Sequence, residues 1–268
     1  MTFFVFELVR FQTIICFDVE GIILVVRFLF LPQQYKLATN YACSVPSFFT
    51  YREKMSTKKQ KLDANSDSFA SSMKFAMVCS SNMNRSMEAH KQLKLKNFNV
   101  FSYGVGSMVR LPAPNNGQAV FQFGTRYEDI YNKLLENEGG IWYKNNGLLA
   151  MVERNMGIKD HPERWQLLPN LSGRFNIVFC FEERVFDSLM DDVLKREPED
   201  VDEPKAMHVI NLEVTDNTEE AAKAGQIALD FCSRANDLEE ALDLELANIV
   251  EEFQAKYNRS FMHMTVYL

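Results

Sequence analysis

The fold of this chain is constrained most by a short apolar run that leads into a polar loop and then a helix. Residues 74–78 are mostly apolar, Cys79 ends the run, and residues 80–84 are mostly polar. From Arg85 onward most residues are good helix formers. This order predicts a β-strand, a loop and an α-helix, with the cysteine at the carboxyl end of the strand.

The loop before the predicted helix has the features of a phosphate-binding site. The first turn of a helix has backbone N–H groups without intrahelical partners, and the positive end of the helix dipole lies beside them. Such groups bind phosphate. The same field favours thiolate over thiol at Cys79, which makes its sulfur a nucleophile near neutral pH. The predicted phosphate-binding residues are Ser80, Ser81, Asn82, Met83, Asn84 and Arg85.

Arg85 and Ser86 complete the pattern C-x-x-x-x-x-R-S. The planar guanidinium of Arg85 can bind two oxygens of a phosphoryl group. The hydroxyl of Ser86 can donate a hydrogen bond to the cysteine sulfur, which stabilises that sulfur as a leaving group. The pattern is therefore typical of a cysteine phosphatase. The alternative is a buried structural cysteine followed by an exposed turn, and the flanking strand and helix favour the phosphatase.

Composition narrows the class of protein further. The net charge of −7 argues against direct binding to nucleic acid. Five cysteines without paired spacing are typical of a reduced intracellular protein. The four histidines have no metal-ligand spacing, so we predict neither a metal nor a cofactor.

The first part of the chain differs in composition from the rest, and we predict three segments. Residues 1–50 form an apolar extension of open role: a strand pair, a docking element, an interfacial anchor, or a segment absent from some forms of the protein. Five charged residues interrupt its apolar stretch between Phe3 and Leu31, so no membrane span is predicted. Residues 51–72 are predicted to be a charged flexible linker, and residues 73–268 the phosphatase domain.

Strands and helices are predicted to alternate through that domain. Asn99–Val105 is a predicted second strand, and Phe175–Phe181 and His208–Val214 have the apolar runs of buried parallel strands. Residues 109–116 are predicted to be a loop because they contain two prolines and an Asn-Asn pair before a glycine. Predicted helices cover Tyr127–Leu135, Leu148–Met156, the residues after Arg184, Asn217–Cys232 and Leu238–Tyr257.

The alternation predicts an α/β fold, a three-layer α/β/α sandwich with a mainly parallel central sheet. In such folds the functional site lies at the carboxyl ends of the strands, where Cys79 is predicted to be.

A cysteine phosphatase also needs an acid to protonate the leaving oxygen and a base to activate water. The acidic residues near strand ends are Glu182, Glu183, Asp187 and Asp216. Asp216 follows a predicted buried strand and precedes a helix, so its side chain can reach across the site. Asp187 falls within a predicted helix. The sequence therefore favours Asp216 as the general acid.

Three separated segments, Met77–His90, Cys180–Asp187 and Asp216–Ala221, together resemble one family. It is the eukaryotic phosphatase family that acts on the carboxyl-terminal domain (CTD) of RNA polymerase II and is related in fold to low-molecular-weight tyrosine phosphatases. The resemblance covers about residues 73–268. Its motifs occur in the family's order.

The resemblance implies a substrate, a mechanism and partners. Phosphate would be removed from serine at the fifth, and also the seventh, heptad position through a phosphocysteine intermediate. The phosphoserine–proline bond would be preferred in its cis form. The implied partners are the phosphorylated heptad repeats and a symplekin-like scaffold, in the nucleus, during transcription and mRNA 3′-end processing.

The resemblance also assigns roles to single residues. The family's nucleophile, phosphate-binding arginine and general acid match Cys79, Arg85 and Asp216. This chain has Met83 where a glutamine is usual, in a position whose backbone alone faces phosphate. The implied substrate groove consists of Arg110, Leu111 and Pro112 with Leu149 and Met151 on the facing helix.

Two other functions stay open at this point. One is an arsenate reductase on the same fold, which would need further cysteines as an electron relay. Cys180 and Cys232 are isolated in sequence and predicted to be buried. The other is a phosphopeptide-binding scaffold without turnover, against which the presence of nucleophile, arginine, serine and acid argues.

Overall fold

A computed structural model describes four long segments of the chain in full and three short strands before them by their backbone. The predicted linker 51–72 and the rest of the predicted extension lie outside the described residues. The described residues are 6–8, 11–17 and 23–28 by backbone, and 73–136, 139–196, 204–238 and 241–268 in full.

Ten β-strands occur among the described residues. In chain order they are β1 (Phe6–Leu8), β2 (Phe11–Phe17), β3 (Ile23–Phe28), β4 (Lys74–Cys79), β5 (Asn99–Gly104), β6 (Val109–Ala113), β7 (Gly117–Phe121), β8 (Ile177–Cys180), β9 (Ala206–Leu212) and β10 (Phe261–Tyr267).

The same part of the chain contains seven α-helices. They are α1 (Arg85–Lys94), α2 (Tyr127–Glu136), α3 (Gly140–Asn145), α4 (Leu148–Met156), α5 (Glu183–Lys195), α6 (Thr218–Asn236) and α7 (Leu242–Tyr257). None of the described helices is long and apolar enough to cross a membrane.

The main sheet has eight strands in the order β1-β2-β3-β10-β9-β8-β4-β5. Its strands β9, β8, β4 and β5 are parallel to one another. Strand β10 pairs antiparallel with β9, and β3 pairs antiparallel with β10. The predicted α/β fold with a parallel core is confirmed, and the carboxyl ends of its four parallel strands meet at one edge.

Helices cover both faces of the sheet because successive residues of its central strands alternate between two apolar clusters. Phe75 and Met77 of β4 pack with α1, α6 and α7 on one face. Ala76 and Val78 pack with α5 and Trp165 on the other face. A third cluster joins the β6–β7 hairpin to α2, α3 and α4, and it includes Met83 of the polar loop.

The prediction of a loop over residues 109–116 is wrong. Residues 109–113 form β6, which pairs antiparallel with β7. Three residues, 114–116, connect the two strands. Asn115 and Asn116 are the central residues of the β-turn that the hydrogen bond from Gly117 N–H to the Pro114 carbonyl closes, and both have positive φ, 58° and 56°, as a type I′ turn requires. Pro112 is tolerated because a two-stranded sheet leaves one side of each strand without a partner.

Two further elements have no counterpart in the sequence-based prediction. Strand β10 follows the last predicted helix and extends the sheet beyond β9. Helix α3 lies between two helices that were predicted.

Candidate active site

Cys79 is the last residue of β4, and residues 80–84 connect it to the start of α1 at Arg85. The neighbouring parallel strands β5 and β8 end beside it. The predicted order of strand, cysteine, loop and helix is therefore observed. Helix α1 begins with its first backbone N–H groups unsatisfied within the helix, which gives the loop the anion-binding character of a helix start.

Asn82 fixes the conformation of the loop. Its φ is +54°, a left-handed conformation that asparagine adopts more easily than most residues. Its buried amide donates to Ser86 Oγ at 3.0 Å and accepts from the backbone N–H of Glu163 at 3.0 Å. Its carbonyl accepts from the Tyr127 hydroxyl at 2.7 Å. The turn is thus held from three directions.

Ser86 is placed to stabilise the sulfur of Cys79. The two side chains lie 3.0 Å apart, Sγ to Oγ, and both are buried. Because Asn82 already donates to Ser86 Oγ, the serine's own proton is free to point to the sulfur. This arrangement supports negative charge on sulfur, which both attack and departure require.

Gly104 and Gly106 allow β5 to approach the loop closely. A Cβ at Gly104 would lie 2.7 Å from Ser80 O and 2.9 Å from Asn82 N, too close for any larger residue. The backbone N–H groups of Val105 and Gly106 donate to the carbonyls of Cys79 and Ser80 at 3.0 and 2.9 Å. The first turn of the loop is therefore packed directly against backbone.

Arg85 is buried beneath the loop and bound on several sides. Its Nη1 donates to the carbonyls of Phe181 and Val214 at 2.9 and 2.8 Å, and its Nη2 donates to Glu182 Oε2 at 2.8 Å. Burial lowers the pKa of Arg85, but the negative charges of Cys79, Asp216 and Glu182 outweigh it and the net pKa is raised. Within the described residues its Nε is a buried donor without a hydrogen-bond partner, and a phosphoryl oxygen would satisfy it.

The favoured acid, Asp216, lies beside Arg85 and the loop. Its carboxylate accepts from Asn84 Nδ2 at 2.9 Å and lies 3.4 Å from Arg85 Nη2. Its side chain is 57% exposed. Asp216 is therefore close to the loop and still able to move.

The other acidic candidates have different surroundings. Glu182 forms the ion pair with Arg85 described above. Glu183 and Asp187 line an open cleft of about 490 Å³ with Glu182, Arg184 and Glu213. Asp187 lies within α5, as the sequence predicts.

The residues assigned to a substrate groove fall into two groups. Arg110 and Pro112 of β6 are exposed, and the backbone N–H of Arg110 donates to Ser81 Oγ at 3.2 Å. Leu111 and Leu149 are buried in the third apolar cluster, with Met151 partly buried against it. Leu111 and Leu149 thus support the loop from below, while Arg110 and Pro112 lie at the surface beside it.

Sequence reasoning missed several residues that hold the loop. Tyr127, Arg154, Asn155 and Glu163 all make hydrogen bonds to loop residues 82–84. They come from α2, α4 and the segment after α4, far along the chain. No local motif marks them.

The cysteines other than Cys79 in the fully described segments are inert. Cys180 and Cys232 are both buried in the core. Burial raises the pKa of both thiols, and the charge of Cys79 adds to the rise at Cys180. Within the described residues no cluster of histidine, cysteine or acidic side chains has the arrangement of a metal site.

Comparisons with known proteins show which family this chain resembles. A family model described as Ssu72-like protein matches residues 73–268. The RNA polymerase II C-terminal domain phosphatase SSU72 of Homo sapiens is 37% identical over 195 residues, which are 72% of this chain and 96% of the relative. The corresponding phosphatase of Caenorhabditis elegans, ssup-72, is 43% identical over 195 residues, 71% of this chain and 95% of the relative.

Solved structures show the same similarity. Drosophila melanogaster Ssu72 with Symplekin, bound to a cis peptidomimetic of a CTD peptide phosphorylated on the serine at heptad position five, is 37% identical. It has a TM-score of 0.68 and covers 74% of this chain and 100% of its own. A second Drosophila melanogaster structure, of the serine phosphatase of the RNA polymerase II CTD, is 38% identical. Its TM-score is 0.67, with coverage of 73% and 100%.

Proposed function

Because this chain belongs to the Ssu72-like family, we propose that it is a cysteine-dependent phosphatase of the RNA polymerase II CTD. The observation that supports this most is the convergence of Cys79, Ser86, Arg85 and Asp216 at one edge of the sheet. The sulfur lies 3.0 Å from the serine hydroxyl, and the acid lies 3.4 Å from the arginine.

In the proposed first step, Cys79 Sγ attacks the phosphorus of phosphoserine. The phosphorus–oxygen ester bond breaks, and the serine oxygen takes a proton from Asp216. Arg85 and the loop N–H groups stabilise the charge on the transferring phosphoryl oxygens. A phosphoryl dianion bound to Arg85 takes the place of Asp216 at the guanidinium, and Asp216 in its protonated form can then turn to the leaving oxygen.

In the second step, water attacks the phosphocysteine. Asp216, now a carboxylate, takes a proton from that water, and the sulfur–phosphorus bond breaks. Ser86 donates a hydrogen bond to the departing thiolate. Inorganic phosphate then leaves the loop, and Cys79 returns to its starting state.

The proposed substrate follows the relatives. Ssu72 of Drosophila melanogaster has been seen with Symplekin and a cis peptidomimetic phosphorylated at heptad position five. For this chain we propose phosphoserine at positions five and seven, a cis proline after it, and a symplekin-like partner. The site of action would be the nucleus, in transcription and mRNA 3′-end processing.

Phosphate release from a phosphorylated heptad peptide tests the reaction. We expect turnover by the full chain and none by Cys79→Ser, which still binds the phosphopeptide because the loop N–H groups and Arg85 remain. Turnover by Cys79→Ser would contradict a cysteine nucleophile. Peptide binding without turnover by the unaltered chain would show a scaffold instead of an enzyme.

The cis preference has its own kinetic test. In an unfolded peptide roughly 10–30% of Ser-Pro bonds are cis, and exchange with trans takes tens of seconds or longer. With excess enzyme we expect rapid release from the cis fraction and then a slow phase that a prolyl isomerase accelerates. Single-phase release, unchanged by the isomerase, would remove the cis preference and leave the phosphatase reaction in place.

The two cysteines besides Cys79 in the fully described segments, Cys180 and Cys232, argue against an arsenate reductase. An electron relay needs thiols that can ionise and reach Cys79. Cys180 and Cys232 are fully buried, and burial raises the pKa of each. Cys180 pairs in the sheet with Val78, the residue before Cys79. The side chains of Cys180 and Val78 both lie in the second apolar cluster, which packs against α5.

A further inference from the structure

Arg154 of α4 joins that helix to the phosphate loop. Its Nη2 donates to the carbonyl of Met83 at 2.7 Å and to that of Asn84 at 3.4 Å. Its Nη1 forms an ion pair with Glu88 of α1 at 2.9 Å. The side chain is 15% exposed. One guanidinium thus contacts two loop carbonyls and the helix that follows the loop.

Asn155 strengthens the same attachment. Its amide donates to Met83 O at 2.8 Å, so this carbonyl accepts two side-chain hydrogen bonds from one helix. Asn155 is fully buried, and it also accepts from Arg154 Nη2 at 2.9 Å. The two side chains therefore act together on the peptide that joins Met83 to Asn84.

The direction of these carbonyls determines the direction of the loop N–H groups. In a trans peptide the C=O and the next N–H point in opposite directions. Arg154 and Asn155 hold the Met83 carbonyl towards α4, and the Asn84 carbonyl is held by Arg154 together with the Glu88 N–H of α1, at 2.9 Å. The N–H groups of Asn84 and Arg85 therefore point away from these donors. These are two of the groups that the proposed phosphatase reaction requires for binding phosphate.

The charge of Arg154 is retained despite its burial. Burial lowers its pKa, and the neighbouring Glu88 carboxylate offsets only part of this effect, so the net pKa is lowered. An arginine stays protonated under these conditions, and its planar fork suits two acceptors at once. A lysine has a point charge in the same place and lacks that fork.

We propose that Arg154, assisted by Asn155, is a positioning residue of the phosphate loop that acts through the Met83 and Asn84 carbonyls. It contacts neither the sulfur nor the phosphoryl group. This inference rests on the proposed function, because it assigns Arg154 the task of orienting N–H groups that bind phosphate.

Arg196 offers a matched control. It has a similar exposure, 22%, pairs with Asp192 at 2.8 Å and donates to the carbonyls of Leu168 and Trp165. Its contacts lie at the end of α5, in the second apolar cluster. Loss of Arg196 therefore removes a comparable structural anchor without touching the loop.

The test measures how well inorganic phosphate protects Cys79 of the full chain from alkylation by iodoacetate. The thermal unfolding temperature of each variant is measured alongside. In Arg154→Met we expect the half-protecting phosphate concentration to rise roughly tenfold, as for loss of a hydrogen bond to a charged group. Arg154→Lys should fall between Arg154→Met and the unaltered chain, and Asn155→Ala should show a smaller increase. Arg196→Met should lower the unfolding temperature and leave protection unchanged.

Equal protection of Cys79 in Arg154→Met and in the unaltered chain would overturn the inference. It would also be overturned if Arg196→Met lost as much protection as Arg154→Met. If Arg154→Met does not fold, Arg154→Lys and Asn155→Ala decide, and normal protection in both overturns it. Absence of protection in the unaltered chain is a different result. It would contradict the phosphate site itself and hence the proposed function.

Discussion

The phosphate loop leads directly into Arg85, the Asp216 carboxylate lies 3.4 Å from Arg85 Nη2, and the two regions are held very differently. Asn82 of the loop and Ser86 in the first turn of α1 are fully buried and hydrogen-bonded to each other. The side chain of Asp216 is 57% exposed and, among the contacts described, meets only the side-chain ends of Asn84 and Arg85. The site combines a rigid anion cradle with a movable acid.

The difference matches the two tasks of the proposed reaction. Charge stabilisation works best when the donors are already in place, because no reorganisation is then needed as charge develops. Proton transfer requires one carboxyl group to act first on the serine oxygen and later on water. A carboxyl group that has to reach both the serine oxygen and the water must remain free to move.

Of these two regions, the movable acid should be the one whose replacement lowers turnover more. Asp216→Asn keeps the shape and removes the proton, so kcat for a phosphopeptide should fall roughly 10²-fold or more. The decrease in kcat/KM, which depends on the first step, should be smaller for p-nitrophenyl phosphate because its leaving group needs little protonation. The kcat should fall for both substrates, because the second step lacks its base in this variant. Steady-state kinetics on both substrates measures this.

The matched control is Asp187→Asn, in the exposed face of α5. We expect it to leave both rates close to those of the unaltered chain. If Asp187→Asn shows the leaving-group dependence and Asp216→Asn does not, the roles of the two residues are reversed.

A smaller effect is expected from disturbing the rigid side. Gly104→Ala places a methyl group 2.7 Å from Ser80 O and 2.9 Å from Asn82 N, so the loop has to shift. We expect kcat/KM to fall roughly tenfold or more, since small displacements of catalytic groups are costly. Unlike Asp216→Asn, this variant should lose activity equally on substrates with good and poor leaving groups.

Gly157→Ala is the control for that experiment. A methyl group there would lie 3.4 Å from its nearest neighbour, the Arg154 carbonyl, which is ordinary contact. Its activity should be nearly unchanged. A Gly104→Ala enzyme with full activity would show that the loop is not held as tightly as its contacts indicate.

The smallest effect concerns how the free energy of unfolding depends on pH through His90, a buried residue of α1. His90 is buried against Ser102, and burial, together with the charges of Lys159 and Lys94, lowers its pKa to about 3. The unfolded chain binds this proton below about pH 6.5 and the folded chain does not, so stability decreases as pH falls from 6.5 towards 3.

This histidine should contribute a slope of about 1.4 kcal/mol per pH unit in that window. Denaturant unfolding of the unaltered chain and of His90→Gln between pH 7 and pH 5 measures this slope. The pH range includes the pKa of histidine in the unfolded chain, about 6.5. We expect the variant to lose less stability on acidification. Parallel curves would show that His90 takes up its proton in the folded state.

The local sequence indicated most of the proposed catalytic residues and few of the residues that hold them in place. Cys79, Arg85 and Ser86 are close in sequence, so their spacing indicated a strand, a loop and a helix that the structure shows. Tyr127 and Arg154 reach the loop from 45 and 71 residues away. Contacts at such separations leave no periodic pattern in the chain.

The errors in the fold have equally specific causes. Pro112 suggested a break in regular structure, but β6 belongs to a two-stranded hairpin in which one side of each strand has no partner. The Asn-Asn turn was a signal for that hairpin, because both asparagines adopt positive φ. Strand β10 was missed because its alternation of partly buried residues is weak beside the apolar runs of β8 and β9.

The most direct test of the cysteine mechanism is to trap its intermediate. In Asp216→Asn with p-nitrophenyl phosphate, the first step needs little acid, while the second lacks its base. Phosphoenzyme should therefore accumulate and survive rapid quenching. We expect mass spectrometry to find one phosphoryl group on the peptide that contains Cys79, formed at the rate of the nitrophenol burst. A burst with the phosphoryl group on another residue, or with none on the enzyme, would contradict Cys79 as the nucleophile.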